Sequence, residues 1–383
     1  MLIQWYHIYF FAFISGVTAV LLLTPLAAKL AAKLDVMDRP SGEKHKFHGK
    51  ATPLLGGVAM LSGWLLVLAG GLLLWSQAGA FAQAEIITRY FPGAYSLLNR
   101  IFFLTLGAVL ATALGTWDDI HHLKAHWKFL GQLIVALIAV GPGHIRISLF
   151  VAAPWFGFAI TVFWFMMLMN AINFFDNMDG LAAGTAAIAL TLFAVAAGFQ
   201  QQYFTACLSA LGAGCALGFW FYNYTPASIF MGDGGSHLLG YLLALASAGT
   251  TFFNPTVASS KVPVLIPLCI LAVPIFDAIT VTIVRAMNGK PFWIGDHNHI
   301  SHRFVRMGLS RKRSVQLVHI LCLLTGLGAL PMMWGSIATT IIIAVQMVLL
   351  LLLITILQYA VIPHDLDSVV PPDKVNEPEN EVK

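Results

Sequence analysis

Long apolar runs separated by short polar stretches organise this chain. A run of about 20 apolar residues crosses the hydrocarbon core of a bilayer as a helix. The pattern predicts about eleven such runs, near 6–30, 54–76, 101–117, 129–141, 150–173, 181–198, 204–222, 237–253, 263–284, 316–334 and 336–360. Backbone exposed to lipid must satisfy its own hydrogen bonds, so each run is expected to be helical and the fold an all-α polytopic membrane protein. The first run has neither a basic segment before it nor a small-residue cleavage site after it, and reads as a first span, not a removable signal peptide. Residues 1–362 read as one transmembrane domain. The acidic, proline-containing stretch 363–383 reads as a disordered tail. No soluble domain and no internal repeat is visible.

Composition sharpens this reading. The 383 residues are 58% hydrophobic and 10% charged, against about 25% charged in a soluble domain, and the mean hydropathy is +0.81. A water-soluble globular protein is excluded. Cys207, Cys215, Cys269 and Cys322 each lie in apolar sequence without a C-x-x-C pair, which points to packing residues and away from zinc or a disulfide framework. With the N-terminus outside, seventeen of the 21 lysines and arginines fall in inner segments and only Arg89, Arg100, Arg146 and Lys261 in outer ones. The positive-inside rule then places the C-terminus in the cytoplasm.

The acidic residues follow the same division. Between Glu85 and Asp365 the only carboxylates are Asp118, Asp119, Asp176, Asp179, Asp233, Asp277 and Asp296. All but Asp277 follow an odd-numbered span and so face inward. Asp277 falls within the ninth span, in its inner half. Charge near a membrane needs a reason, and carboxylates brought together must hold a cation or share protons. With oxygen ligands dominant and no thiol, magnesium is the expected metal, with manganese as a substitute.

Five inner stretches carry candidate chemistry. In DRPSGEKHKFHGKATPLLGG, from Asp38 to Gly57, Lys44, Lys46, His48 and Lys50 have the charge to neutralise phosphates or simply flank a span, and Gly56 and Gly57 suggest close backbone approach to a helix or a ligand. In WDDIHHLKAHWKFLGQ, Asp118 and Asp119 stand near Lys124 and Lys128, one turn apart; His121, His122 and His126 read as interfacial side chains. In NAINFFDNMDGLAAG, the spacing of Asn170, Asn173, Asp176 and Asp179 predicts one helical face. GDGGS, around Asp233, resembles a phosphate-cradling turn, and Phe230 before it is an aromatic suited to stacking on a base or to an interface. In GDHNHISHRFVRMGLSRKR, His299, His302 and Arg303 offer phosphate donors. Residues three apart share a face, so Ser301 is expected to point elsewhere and to tolerate replacement by histidine.

Together these five motifs, in this order from about residue 35 to residue 310, resemble the polyprenyl-phosphate N-acetylhexosamine-1-phosphate transferases. That family starts bacterial cell-envelope polysaccharides such as O-antigen and teichoic acid lipids, and includes the peptidoglycan translocase. Two departures stand out: Ser301 takes the place of a histidine in the last motif, and Lys46-Phe47-His48 replaces the usual basic pair and histidine. The resemblance implies transfer of an N-acetylhexosamine 1-phosphate, with N-acetylglucosamine as the first expectation, from a UDP-sugar to undecaprenyl phosphate, releasing UMP. It implies Asp233 as the magnesium ligand and Asp118 and Asp119 beside the lipid phosphate and metal. It places Asn173, Asp176 and Asp179 on the nucleotide, Phe230 on uracil, and His299 and His302 on the diphosphate. Lys46, His48, Lys124, Lys128 and Arg303 would share the remaining phosphate charge. The setting it implies is the bacterial cytoplasmic membrane with the active site facing the cytoplasm, membrane lipid but no nucleic acid as partner, and room for a homodimer. The rival classes are an ion-coupled transporter, which would place its ionisable residues near the midplane and show repeats, and a structural membrane subunit.

Overall fold

In the computed structural model the described residues are 4–39, 51–76, 85–147, 153–252, 262–291 and 298–361. They form α1 (Trp5–Lys33), β1 (Met37–Asp38), β2 (Thr52–Pro53), α2 (Gly56–Ser76), α3 (Glu85–His121), α4 (Ala125–Val140), α5 (Pro154–Phe175), α6 (Leu181–Phe199), α7 (Tyr203–Asn223), α8 (Gly232–Gly249), α9 (Ile266–Ile270), α10 (Ala272–Met287), α11 (Ile300–Arg306), α12 (Arg311–Ala329) and α13 (Ile337–Val361). The fold is all-α apart from β1 and β2, which pair antiparallel as Met37 with Pro53 and Asp38 with Thr52.

Among the described residues, eight helices are long and apolar enough to cross a membrane: α1, α2, residues 97–121 of α3, α5, α6, α7, α12 with its extension to Met333, and α13. The other three predicted runs are also helical but differ in form. α4 has 16 residues, α8 has 18, and the ninth run is divided at Leu271 between α9 and α10. Prolines 267 and 274 each lack the backbone N–H that an uninterrupted helix would use there.

α8 is the axis of the bundle. From Gly234 to Ala248 every residue is buried, as expected of a helix enclosed by other helices instead of lipid. It packs on α2, α3, α5, α6 and α7. Backbone contact with α3 depends on small residues. A Cβ on Gly115 would lie 2.2 Å from the Asp233 carbonyl oxygen, and one on Gly234 would lie 2.4 Å from Thr116 Oγ1. The end of α3, with Asp118 and Asp119, is thereby pressed onto the start of α8. α13 lies at the periphery with a continuous row of exposed Ile, Leu and Val. All four cysteines are free, and Cys215, Cys269 and Cys322 are buried packing residues as expected.

Candidate active site

The end of α3, the start of α4, the end of α5 and the start of α8 converge at one end of the bundle. Lys128, in the first turn of α4, is their common point. Its Nζ lies 2.8 Å from Asp118 Oδ2 and 2.5 Å from Asp233 Oδ2, and it donates to Asn173 Oδ1 at 3.3 Å. Asn173 Nδ2 donates to Asp233 Oδ1 at 2.7 Å and to Ser236 Oγ at 3.0 Å. Asp118 is buried, and its Oδ1 accepts from the Leu123 N–H at 2.7 Å. Four sequence-predicted residues on four helices therefore form one charge cluster, in which Asp118 and Asp233 lie together on either side of Lys128.

The electrostatics follow from this packing. Burial pushes the Asp233 carboxyl up, but Lys128, together with His237 and the side-chain hydrogen bonds to Lys128 and Asp118, outweighs it and holds the group at about 2. Burial likewise works against the Lys128 ammonium, and Asp233 and Asp118 overcome it, so its pKa is raised. Asp176 has no such counter-charge. Burial pushes it up to about 8, with Asp233, Asp179 and Asp119 adding to the rise. Its carboxyl thus sits in the field of the same cluster.

Asp119 does something different from its neighbour. Its Oδ1 accepts from the Asp233 N–H at 2.8 Å and its Oδ2 from the Gly234 N–H at 3.2 Å, satisfying two of the four donors that a helix start leaves open. The GDGGS stretch is therefore the first turn of α8, already occupied by a carboxylate of the protein, and its glycines serve close packing. Gly232 has φ +66°, and a Cβ there would lie 2.4 Å from Asp119 Oδ2. Gly57 approaches the same turn, where a Cβ would lie 2.3 Å from the Gly235 nitrogen. Of the two readings of the Gly56–Gly57 pair, approach to a helix is the one observed. The expectation of a phosphate-cradling turn is corrected accordingly.

The spacing-three run is also corrected. α5 ends at Phe175 with Asp176 as its C-cap, so only Asn170 and Asn173 share a helical face. Asp179 lies beyond the helix and turns away, its Oδ2 accepting from the Ala227 N–H at 3.0 Å. That contact, with the Gly180 N–H donating to Asn223 Oδ1 at 3.0 Å, joins the 176–180 turn to the end of α7 and the loop before α8. Phe230 in that loop is partly buried; its N–H donates to the Pro53 carbonyl at 2.8 Å. Lys124 is exposed at the N-cap of α4, apart from the Lys128 cluster, and His121, His122 and His126 are exposed as expected. Lys46, His48 and Asp296 lie outside the described residues.

A second group forms around α11. His299, its N-cap, is buried, and Nδ1 lies 2.6 Å from Asp277 Oδ2. The Ile300 N–H donates to the other oxygen of Asp277 at 2.7 Å. Asp277 is the residue that sequence reasoning left without a role; its position inside a span was the signal, since a membrane carboxylate implies a partner. His302 is partly buried, with its ring centroid 6.3 Å from that of His299. Arg303 is buried: its Nε donates to the Asn298 carbonyl at 2.8 Å, its guanidinium lies over the Tyr359 ring, and its two terminal nitrogens have no hydrogen-bond partner among the described residues. Ser301 does not point to open space. It is fully buried, its Oγ donates to Asn177 Oδ1 at 2.6 Å, and its carbonyl accepts from Ser314 Oγ. A histidine there would have to displace this packing and the bond to the turn after α5, so the replacement carries a stability cost that its place off the His299–His302 face does not suggest.

Among the described residues, eight apolar helices long enough to cross a membrane are thus joined to a carboxylate–lysine cluster at one end of the bundle and a histidine held by a carboxylate at the start of α11. The Glycosyl transferase family 4 model matches residues 101–250, and the chain is 34% identical over 328 residues, covering 83% of each chain, to a probable undecaprenyl-phosphate N-acetylglucosaminyl 1-phosphate transferase of Bacillus subtilis. A decaprenyl-phosphate N-acetylglucosaminephosphotransferase of Mycobacterium leprae is 31% identical over 82% of each chain. A phospho-N-acetylmuramoyl-pentapeptide-transferase of Lactiplantibacillus plantarum is 33% identical over 61% of this chain and 73% of its own. This chain belongs to glycosyl transferase family 4. That membership leaves the ion-coupled transporter reading without support.

Proposed function

We propose that this chain transfers N-acetylglucosamine 1-phosphate from UDP-N-acetylglucosamine to undecaprenyl phosphate, with the active site on the cytoplasmic side of a bacterial inner membrane. The observation that carries the reading is Lys128 held between Asp118 and Asp233, at the membrane end where α3, α4, α5 and α8 meet. In the reaction an oxygen of the lipid phosphate bonds to the β-phosphorus of the donor. The bond from that phosphorus to the bridging oxygen breaks, and UMP leaves with the electron pair. Such a displacement depends on in-line positioning and charge neutralisation more than on covalent chemistry.

The donor set suits magnesium. Asp233 presents carboxylate oxygens with lone pairs beyond those used by Lys128 and Asn173, and its bonded neighbours are an ammonium and an amide, not a thiol. Among the described residues no three His, Cys, Asp or Glu side chains form a closed cage, which fits an ion that takes its remaining ligands from water and substrate phosphates. When bound at Asp233, magnesium would neutralise charge on the donor diphosphate. Lys128 supplies a protein cation in the same place. Asp118, fixed by the Leu123 N–H, would act on the lipid phosphate through the cation between them, by orienting Lys128 toward it. With a second phosphate pKa of about 6, that phosphate is largely deprotonated at neutral pH, so Asp118 acts more by position than as a base. Asp277 accepts from His299 Nδ1, and it is as an imidazolium that His299 would also donate Nε2–H to a donor phosphate oxygen.

Purified protein given magnesium, undecaprenyl phosphate and a panel of labelled UDP-sugars should form a lipid heavier by one N-acetylhexosamine phosphate, with UMP in equal amount. Release of free sugar, or no lipid product with any donor, would refute the reading. Product only from another sugar nucleotide would keep the reaction and change the donor.

A further inference from the structure

Beneath the Lys128 cluster lies a second polar layer without charge, built from three of its four helices. Gln132 is four residues after Lys128 on α4, His237 four after Asp233 on α8, and Asn170 three before Asn173 on α5. Each step is about one helical turn, so Lys128, Asp233 and Asn173 each have an uncharged counterpart one turn deeper. Gln132 and His237 are both fully buried.

The hydrogen bonds of this layer have one consistent direction. Asn170 Nδ2 donates to the Met166 carbonyl at 2.8 Å and to Gln132 Oε1 at 2.7 Å. Gln132 Nε2 therefore faces Asn170 Oδ1 at 3.3 Å and His237 Nε2 at 2.9 Å. His237 Nδ1 lies 2.7 Å from the Asp233 carbonyl, which can only accept. With Nδ1 carrying the proton, Nε2 accepts from Gln132. Two backbone carbonyls, one on α5 and one on α8, thus fix the sense of every bond between them. Reversing an amide or protonating Nε2 would set like groups against each other, and a buried network tolerates that poorly.

We infer that Gln132, Asn170 and His237 are positioning residues: they lock the register of α4, α5 and α8 so that Lys128, Asn173 and Asp233 meet. The inference rests on the transferase reading for its kinetic consequence, but its geometric claim stands apart from it. The three residues touch no substrate; they act through the layer above. Their lack of charge matters, because a full charge one turn deeper would compete for Lys128 or for the carboxylates.

The test compares Gln132→Met, Asn170→Leu and His237→Phe, one variant from each helix, in full-length protein in detergent. Zero-length carbodiimide coupling forms an amide only between an amine and a carboxyl in contact. The Lys128–Asp233 and Lys128–Asp118 products, read by mass spectrometry, should fall by about threefold or more as a loosened supporting layer lets the upper one drift. In the same preparations kcat should fall ~10-fold or more, the scale of a lost supporting hydrogen bond, while the donor KM stays within about twofold. The unfolding midpoint separates this from a general loss of stability, which would lower the midpoint and leave the coupling yield of folded protein unchanged. Unchanged coupling in the variants that fold overturns the inference, as does reduced coupling with wild-type kcat. If wild-type protein makes no lipid product, the transferase reading fails, while the coupling yields still decide whether this layer positions Lys128.

Discussion

At the start of α8 a lysine sits between two carboxylates, whereas at the start of α11 one buried carboxylate grips a histidine and the helix's first N–H. Both arrangements hold charge at the end of a membrane bundle, yet their exposure differs. The Asp233 side chain is 31% exposed and that of Lys128 18%; those of His299 and Asp277 are 4% and 1%. The first group is ionic and partly open, so its partners can be exchanged for substrate charge. The second is enclosed, and its hydrogen bonds set the direction of one ring. In this account the α8 cluster neutralises phosphate, and the α11 pair aims a donor at it.

The largest effect is expected where a charge is removed from the open group. Lys128→Met leaves Asp118 and Asp233 facing each other without a cation, and kcat should fall by ~10²-fold or more, measured as UMP release at saturating magnesium. In the enclosed group, His299→Ala should lose ~10²-fold, and Asp277→Asn ~10-fold or more. The double variant should be no worse than His299→Ala alone, because Asp277 acts through His299. Additive losses would break the proposed division of labour. Asp119→Ala should act chiefly on stability, by about 1–2 kcal/mol as for loss of a helix cap, read from denaturant unfolding in detergent. Smallest in activity is Ser301→His: it overpacks a buried position, at about 1–3 kcal/mol of stability, and changes kcat only as far as the turn around Asn177 shifts.

The two regions also differ in how much the sequence disclosed. Asp118, Asp233, Asn173 and Lys128 were legible because carboxylates are so scarce in the apolar sequence that span parity alone brings them to one face. The pairing of Asp277 with His299 was not, since 22 residues and the end of α10 at Met287 separate them. Adjacent Asp118 and Asp119 look equivalent in sequence; only the approach of α3 to α8, through Gly115 and Gly234, gives one to Lys128 and the other to the helix start. Asn170, Asn173, Asp176 and Asp179 kept helical spacing past the point where α5 stops. Periodicity predicts which face a residue would take on a helix, not where the helix ends. Gln132 ends one of the five stretches and His237 follows GDGGS, but neither had a role assigned, because that role depends on three helices meeting at one depth.

The central claim is that the open group at the start of α8 supports metal-dependent transfer through Asp233. The most direct measurement is a divalent-cation titration of UMP release, with UDP-N-acetylglucosamine and undecaprenyl phosphate saturating, in wild type and Asp233→Asn, with helical content checked in both. Wild type should be inactive in chelator and recover with magnesium, and Asp233→Asn should stay at least ~10²-fold slower at every magnesium concentration. Release that persists in chelator, or an Asp233→Asn protein that matches wild type once magnesium is saturating, would contradict the account.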